Sequence, residues 1–334
     1  MKAMVLAAGL GTRLKPLTYE LPKPMVPVLD RPVMAHIVRL LERQGFDELV
    51  ANVHWFPDAI TGYFGDRLEY RYEPELLGTA GGVRNVRDFF GDDLVVVISG
   101  DALTDLDVRV LVERHRTAGG IATLTVKRVP DTREYGVVIH DEDGRVQGFQ
   151  EKPDPAEALS DLGNCGIYCF SPEIFDYFPA EDPVDWAQDV FPALLDHDVP
   201  FHVHEIESYW NDVGSLAELR QGTWDALEGR LGIDVPGEEA RDGLLVGTGT
   251  SLPDDLELVS APAWIGEECE VGRGVRVMGP TVIGDRCSVG EGASLREVIL
   301  LPGTTVPSGE VVIGAILGRA GIVDSPRPLH PAPR

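Results

Sequence analysis

Lys2-Ala3-Met4-Val5-Leu6-Ala7-Ala8-Gly9-Leu10-Gly11-Thr12-Arg13-Leu14 runs from an apolar stretch straight into a glycine-rich loop. Residues 2–6 read as a first strand, because a short apolar run bounded by glycine fits a buried strand. A signal peptide is a poorer reading: the apolar stretch is short, and no cleavage site separates it from the loop. Glycine lets a backbone approach an anion closely and point N–H groups at it. Gly-x-Gly after a strand is weak evidence alone. No Gly-Lys-Ser/Thr follows to make a Walker A loop, and the third glycine of the dinucleotide fingerprint is missing. The next segment, Leu21-Pro22-Lys23-Pro24-Met25-Val26-Pro27-Val28, strengthens the signal. Its prolines stiffen the chain around Lys23. Arg13 and Lys23 then bring two cations beside the backbone donors of Leu6, Ala8, Gly9, Gly11 and Thr12, a combination suited to a triphosphate.

Outward from the loop, apolar strands alternate with amphipathic helices to about residue 228. That alternation predicts a Rossmann-like, mostly parallel α/β sheet. Val33, Ile37, Leu40 and Leu41 recur at helical spacing, and Gly45 closes the segment. Residues 47–53 and 68–72 read as strands, 78–90 as a helix, and 94–98 as a strand covered on both faces. A helix over 108–117 and a strand over 121–126 follow. Residues 136–140 and 145–150 flank Asp143-Gly144, a hairpin signal, and another strand crosses 166–170.

Residues 229–243 are polar and glycine-rich with little periodicity, so the first domain ends near 228 and 229–262 reads as a connecting segment. Beyond it Ile265, Val271, Val277, Ile283, Val289, Leu295 and Leu301 recur every six residues. Ala263, Cys269, Val275, Thr281, Cys287, Ala293 and Ile299 sit two residues before them. This is the hexapeptide signature of a left-handed parallel β-helix, in which three hexapeptides make one coil. Cys269 and Cys287, 18 residues apart, are expected to stack inside. Met278 and Arg296 interrupt the glycine rhythm and Pro307 breaks it, so the helix is expected over 263–318 with roughly two to three coils. Residues 319–334 form a Pro-rich tail, expected to be disordered from 325 on.

The formal charge of −26 repels phosphate backbones and acidic membranes, which argues against a nucleic-acid or membrane partner. No apolar run reaches the length of a membrane span. The four cysteines, at 165, 169, 269 and 287, are too scattered for a disulfide scaffold, and a reducing cytoplasm fits them. His202-x-His204 could ligate a metal but lacks an evident third ligand.

Further segments complete a pattern. They are Leu77-Gly78-Thr79-Ala80-Gly81, Ser99-Gly100-Asp101, Glu134-Tyr135-Gly136, Glu151-Lys152-Pro153, Asn164-Cys165-Gly166-Ile167-Tyr168 and Trp210-Asn211-Asp212-Val213-Gly214. With Gly9-Leu10-Gly11-Thr12-Arg13 and Pro22-Lys23-Pro24, their order resembles the sugar-phosphate nucleotidylyltransferases over most of residues 1–228. The short β-helix is similar to that of the mannose-1-phosphate guanylyltransferase branch.

Asp101 follows a predicted strand end, where ligands of open α/β sheets bind. Taken alone, Asp212 reads as the cap of a helix beginning near Ser215. The resemblance instead implies that Asp101 and Asp212 hold Mg²⁺, together with phosphate oxygens and water. It implies that Lys152 grips the sugar phosphate, that Glu151 and Asn164 bond sugar hydroxyls, and that Tyr135 and Gly136 shape that wall. It places nucleotide contacts at Gly78 and Thr79, with the base read at Glu73 or, as the alternate, Glu75. A carboxylate only accepts hydrogen bonds. It therefore suits the two adjacent donors of guanine, which favours GTP and, with the branch resemblance, mannose 1-phosphate. Glucose 1-phosphate with dTTP or UTP is the alternative, and a non-catalytic regulatory paralogue is another.

The implied reaction is in-line attack by a sugar-phosphate oxygen on the α-phosphorus. The nucleophile is already anionic, so positioning and charge neutralisation carry it. Arg13 and Mg²⁺ would neutralise the leaving pyrophosphate, Lys23 would hold the α-phosphate region, and Lys152 would align the nucleophile. An acyltransferase role for the β-helix lacks a histidine base between His204 and His330. The β-helix is expected to be an assembly element for a homodimer or larger homo-oligomer, because open coil ends invite pairing.

Overall fold

The computed structural model describes residues 1–324. They divide into two units. The first holds residues 1–12, 21–25 and 33–212; the second holds 13–20, 26–32 and, of the described residues, 213–324. No helix among the described residues is long and apolar enough to cross a membrane.

The strands of the first unit are β1 (Lys2–Leu6), β2 (Glu48–Val53), β3 (Glu69–Tyr72), β4 (Val95–Ser99), β5 (Ala102–Thr104), β6 (Ala122–Arg128), β7 (Gly136–His140), β8 (Val146–Glu151), β9 (Leu162–Phe170), β10 (His202–Glu205) and β11 (Trp210–Asp212). Its helices include α1 (Val33–Arg43), α2 (Pro57–Phe64), α3 (Gly78–Arg84), α4 (Arg87–Phe90), α5 (Val108–Ala118) and α6 (Phe191–Asp196). Nine strands make one sheet in the order β8-β7-β9-β4-β1-β2-β3, with β6 on β9 and β10 on β6. Strands β4, β1, β2 and β3 are parallel. β9 lies antiparallel to β4, β6 and β7, so the sheet is mixed. The helix expected over 78–90 is two, α3 and α4, because Val86 departs from helical backbone at φ −113° and ψ 18°.

The core packs around β4 and a group of rings, with Trp186 stacked on Phe170 at 4.5 Å and Phe191 on Phe201 at 6.0 Å. The parallel register brings three strand ends to one sheet edge: Leu6 pairs with both Asn52 and Ser99. Gly100 then donates its N–H to Leu6 O at 2.8 Å. A Cβ on Gly100 would lie 2.5 Å from that oxygen, so only glycine permits this approach.

The second unit is a stack of parallel coils. Leu244–Val246, Ala263–Ile265, Thr281–Ile283, Ile299–Leu300 and Ile316–Gly318 form one face. Glu257–Ser260, Arg276–Met278, Ser294–Arg296 and Val311–Ile313 form a second, and Glu270–Val271, Ser288–Val289 and Thr305–Val306 a third. The stack is longer than the two to three coils expected from 263 onward. Its first coil lies in 244–262, and it escapes the six-residue rhythm because Leu244 pairs with Ala263, 19 residues on. The register also shifts near the end. Ile283 pairs with Leu300, 17 residues on, so Leu300 rather than Leu301 continues the inner column. Ile299 shares the opposite face with Trp264 and Val282, and all three are buried there. Cys269 and Cys287 do stack among the inner residues.

The first face ends on either side in an antiparallel strand, Glu238–Arg241 and Gly321–Asp324. Arg220 of α7 (Leu216–Leu227) pairs with Asp324 at 2.6 Å. The strand Gly321–Asp324 falls within what reads as tail; the disorder expected for 325–334 lies outside the described residues.

Candidate active site

The open edge of the first unit's sheet carries the glycine loop, and Ser99-Gly100-Asp101 lies beside it. β11 pairs antiparallel with β5, bringing Asp212 opposite Ala102 and therefore next to Asp101 in space. Lys23, on a single turn Lys23–Met25, meets both carboxylates. Its ammonium pairs with Asp101 Oδ2 and lies 3.3 Å from Asp212 Oδ1. Ser99 donates its hydroxyl to Asp101 Oδ1.

The three charges reinforce one another. Burial pushes the Lys23 ammonium down, but Asp101 and Asp212 outweigh it and hold the group above the ordinary lysine range. Burial pushes the Asp101 carboxyl up, and Lys23 with Ser99 outweighs that, holding it below the usual carboxylate range. At neutral pH Asp101 and Lys23 therefore both stay charged. Two hard carboxylate oxygens fit Mg²⁺, which takes its remaining ligands from phosphate and water. Among the described residues no group of three or more acidic, histidine or cysteine side chains could hold a metal. His202 and His204 accordingly acquire no third ligand. Nor is Asp212 the helix cap that it resembles in isolation. That role falls to Ser215, whose Oγ accepts the Glu218 N–H at 3.2 Å.

A second group of expected residues gathers around Tyr135. The Lys152 N–H donates to Tyr135 O at 3.2 Å, and Lys152 has a φ of +47°, a strained backbone for a residue with a side chain. Its ammonium lies 3.6 Å from Glu151 Oε1, and both side chains are about half exposed. Gly136 backs onto Glu151, and the Tyr135 ring packs on Trp210 at 5.3 Å. Asn164 Nδ2 donates to Tyr168 OH at 2.9 Å and its Oδ1 accepts the Gly166 N–H at 3.1 Å. An amide has one more donor and one more lone pair to offer, so Asn164 keeps capacity for a ligand.

The remaining expected residues fare differently. Arg13 is exposed on the turn Thr12–Leu14 and belongs to the second unit. Gly78 has a φ of +82° and backs onto Val184. The Thr79 hydroxyl donates to Asp185 Oδ2 at 2.7 Å and accepts the Trp186 N–H at 3.2 Å, so it anchors that turn. Glu75 is exposed. Glu73 corrects the expectation that it reads the base. It is 1% exposed, its Oε1 accepts from Asn52 Nδ2 at 2.8 Å, and its Oε2 accepts the Leu77 N–H at 3.1 Å. Both carboxylate oxygens are committed inside the protein. Asn52 escaped the sequence reading. The available signal was a lone amide inside the apolar strand 49–53, since a buried polar group demands partners.

Glycine loop, paired carboxylates and buried lysine at one sheet edge together define a site for phosphate chemistry. Residues 2–229 match the nucleotidyl transferase family, and 262–297 match the bacterial transferase hexapeptide repeats. The chain is 38% identical to a UTP–glucose-1-phosphate uridylyltransferase of Synechocystis sp., over 84% of this chain and 77% of that one. It is 32% identical to a mannose-1-phosphate guanylyltransferase of Mycobacterium tuberculosis, over 83% of this chain and 78% of that one. The crystal structure of HddC from Yersinia pseudotuberculosis superposes with a TM-score of 0.58 at 25% identity, covering 66% of this chain and 97% of that one. The chain belongs to the nucleotidyl transferase family, and within it to the sugar-phosphate nucleotidylyltransferases.

Proposed function

We propose that this enzyme joins GTP to mannose 1-phosphate, releasing pyrophosphate and forming GDP-mannose. Lys23 between Asp101 and Asp212 carries the reading of the site. When bound, Mg²⁺ at the two carboxylates neutralises phosphate charge. Lys23 meets the α-phosphate, Arg13 the leaving pyrophosphate, and Lys152 orients the sugar phosphate whose oxygen attacks. Backbone N–H groups of the glycine loop hold the β- and γ-phosphates. The attacking oxygen is already anionic, so the residues supply alignment and charge rather than a base.

With Glu73 buried, base reading passes to exposed Glu75 or to the backbone of residues 76–79. A carboxylate there accepts both guanine donors, but would face a carbonyl oxygen of uracil or thymine. The 38% relative that acts on UTP and glucose 1-phosphate favours a second reading with that pair. The ratio of kcat/KM for GTP over UTP and dTTP decides between them. We expect GTP to lead by about tenfold or more, the worth of one charge-assisted pair, and Glu75→Gln to shrink that lead. A wild type that prefers UTP would establish the second reading.

The coil stack acts as an assembly element through its open ends, giving a homodimer or larger homo-oligomer; a monomeric mass in light scattering would contradict this. Free, buried cysteines at all four positions suit a cytoplasmic enzyme.

A further inference from the structure

Glu73 and Asn52 form the middle of a buried hydrogen-bond chain that ties together two segments expected to hold the nucleotide. The Ala7 N–H, at the start of the glycine loop, donates to Asn52 Oδ1 at 2.8 Å. Asn52 Nδ2 donates to Glu73 Oε1 at 2.8 Å, and the Leu77 N–H, just before Gly78-Thr79, donates to Glu73 Oε2 at 3.1 Å. The two side chains are 3% and 1% exposed. His54 Nδ1 lies 2.8 Å from Glu73 O, anchoring the backbone of the same residue. Gly82 of α3 completes the enclosure: a Cβ there would sit 2.6 Å from Asn52 Nδ2 and 2.8 Å from Glu73 Oε1.

We propose that Asn52 and Glu73 are a positioning pair: they set the phosphate loop at a fixed distance from the 75–79 turn, and so govern nucleotide affinity without touching the base. The inference rests on the nucleotidyltransferase reading above, and it deepens that reading.

The chain has a definite polarity. Both of its ends are backbone donors, so each side chain must offer an acceptor outward, and between the two there must be one donor and one acceptor. One amide and one carboxylate satisfy this in either order. Two amides leave a donor facing a donor or an acceptor unmade; two carboxylates set like charges against each other. Each of the isosteric changes Glu73→Gln and Asn52→Asp therefore breaks the chain. The double variant restores it with reversed order, carboxylate at 52 and amide at 73, without changing shape.

The test is titration calorimetry of GTP and UTP with Mg²⁺, in the absence of sugar phosphate so that no turnover intervenes. Melting temperatures and steady-state KM values accompany it. Each single variant should weaken the binding of both nucleotides by about tenfold or more, the worth of one broken buried hydrogen bond. The GTP:UTP ratio and the KM for sugar 1-phosphate should stay within about twofold. The double variant should recover to within a few-fold of wild type. A merely structural role would lower the melting temperature without this selective nucleotide effect. A double variant as weak as the weaker single one would overturn the proposal. So would a Glu73→Gln variant that alters the GTP:UTP ratio while overall affinity holds, which would return the base-reading role to Glu73. Wild type that binds both nucleotides but turns over no sugar phosphate would remove the enzymatic reading and leave the pair testable; wild type that binds neither would remove both.

Discussion

Asp101→Asn and Asp212→Asn should each lower kcat by on the order of 10²–10³, with little change in the fold. Each substitution keeps the shape of the side chain and removes its charge. Lys23 keeps a carboxylate partner in either variant, since it contacts both. What is lost is half of the anionic cradle, and one neutral amide oxygen holds a divalent cation far less well than a carboxylate. The variants should need more Mg²⁺ to reach their residual maximum, and wild type should lose activity in excess chelator. Steady-state rates against Mg²⁺ concentration, with circular dichroism to verify folding, make the measurement. Full activity of both variants, or of wild type in chelator, would remove the metal assignment.

Lys23→Met should have an effect of similar size on turnover and a larger one on stability. It leaves two largely buried carboxylates facing each other with no ammonium between them. Breaking a buried ion pair from one side costs about 3 kcal/mol, and kcat should fall by on the order of 10²–10³ with the loss of a phosphate contact. The pH dependence follows from the two shifts. Asp101 lies below the usual carboxylate range, so its contribution is present above the unfolded value near 3.9 and is lost as pH falls through the lower folded value. Lys23 lies above the usual lysine range, so its contribution is complete below about 10.4 and is lost as pH rises through the raised value. The stability deficit of Lys23→Met should therefore be largest near neutral pH and shrink as pH falls, because burial raises the unpaired carboxylates and they take up protons. Mg²⁺ alone should raise the melting temperature of this variant more than that of wild type, because it replaces the missing positive charge. A variant as stable as wild type, unresponsive to Mg²⁺, would show that the three charges do not act together.

The strand-to-loop transition at Leu6–Gly11 could be read without a structure, because strand, glycine and proline leave local marks. So could the coils over 263–295, where inward residues keep strict step. The first coil could not, since a 19-residue spacing between Leu244 and Ala263 hides it from a six-residue count. The slip from Leu301 to Leu300 is likewise one deleted residue that only pairing reveals. In the site, charge-bearing types such as Lys23, Asp101 and Asp212 were identifiable from chemistry and motif. Whether a polar residue faces a ligand or the interior was not. Glu73 sits two residues before exposed Glu75, yet Asn52, 21 residues away in the chain, and the nearby Leu77 N–H draw it inside. Thr79 is committed in the same way by Asp185, more than a hundred residues away.

The central claim, that this chain transfers a nucleotidyl group to a sugar phosphate, is tested most directly by pyrophosphate release from the purified protein with Mg²⁺. Nucleoside triphosphate and sugar 1-phosphate are supplied separately and together, with the phosphate oxygens of the sugar phosphate isotopically labelled. The account predicts release only when both substrates are present, one NDP-sugar per pyrophosphate, and a labelled oxygen bridging the two phosphorus atoms of the product. Pyrophosphate released without the sugar phosphate, or none from any nucleotide and sugar 1-phosphate tried, would contradict it.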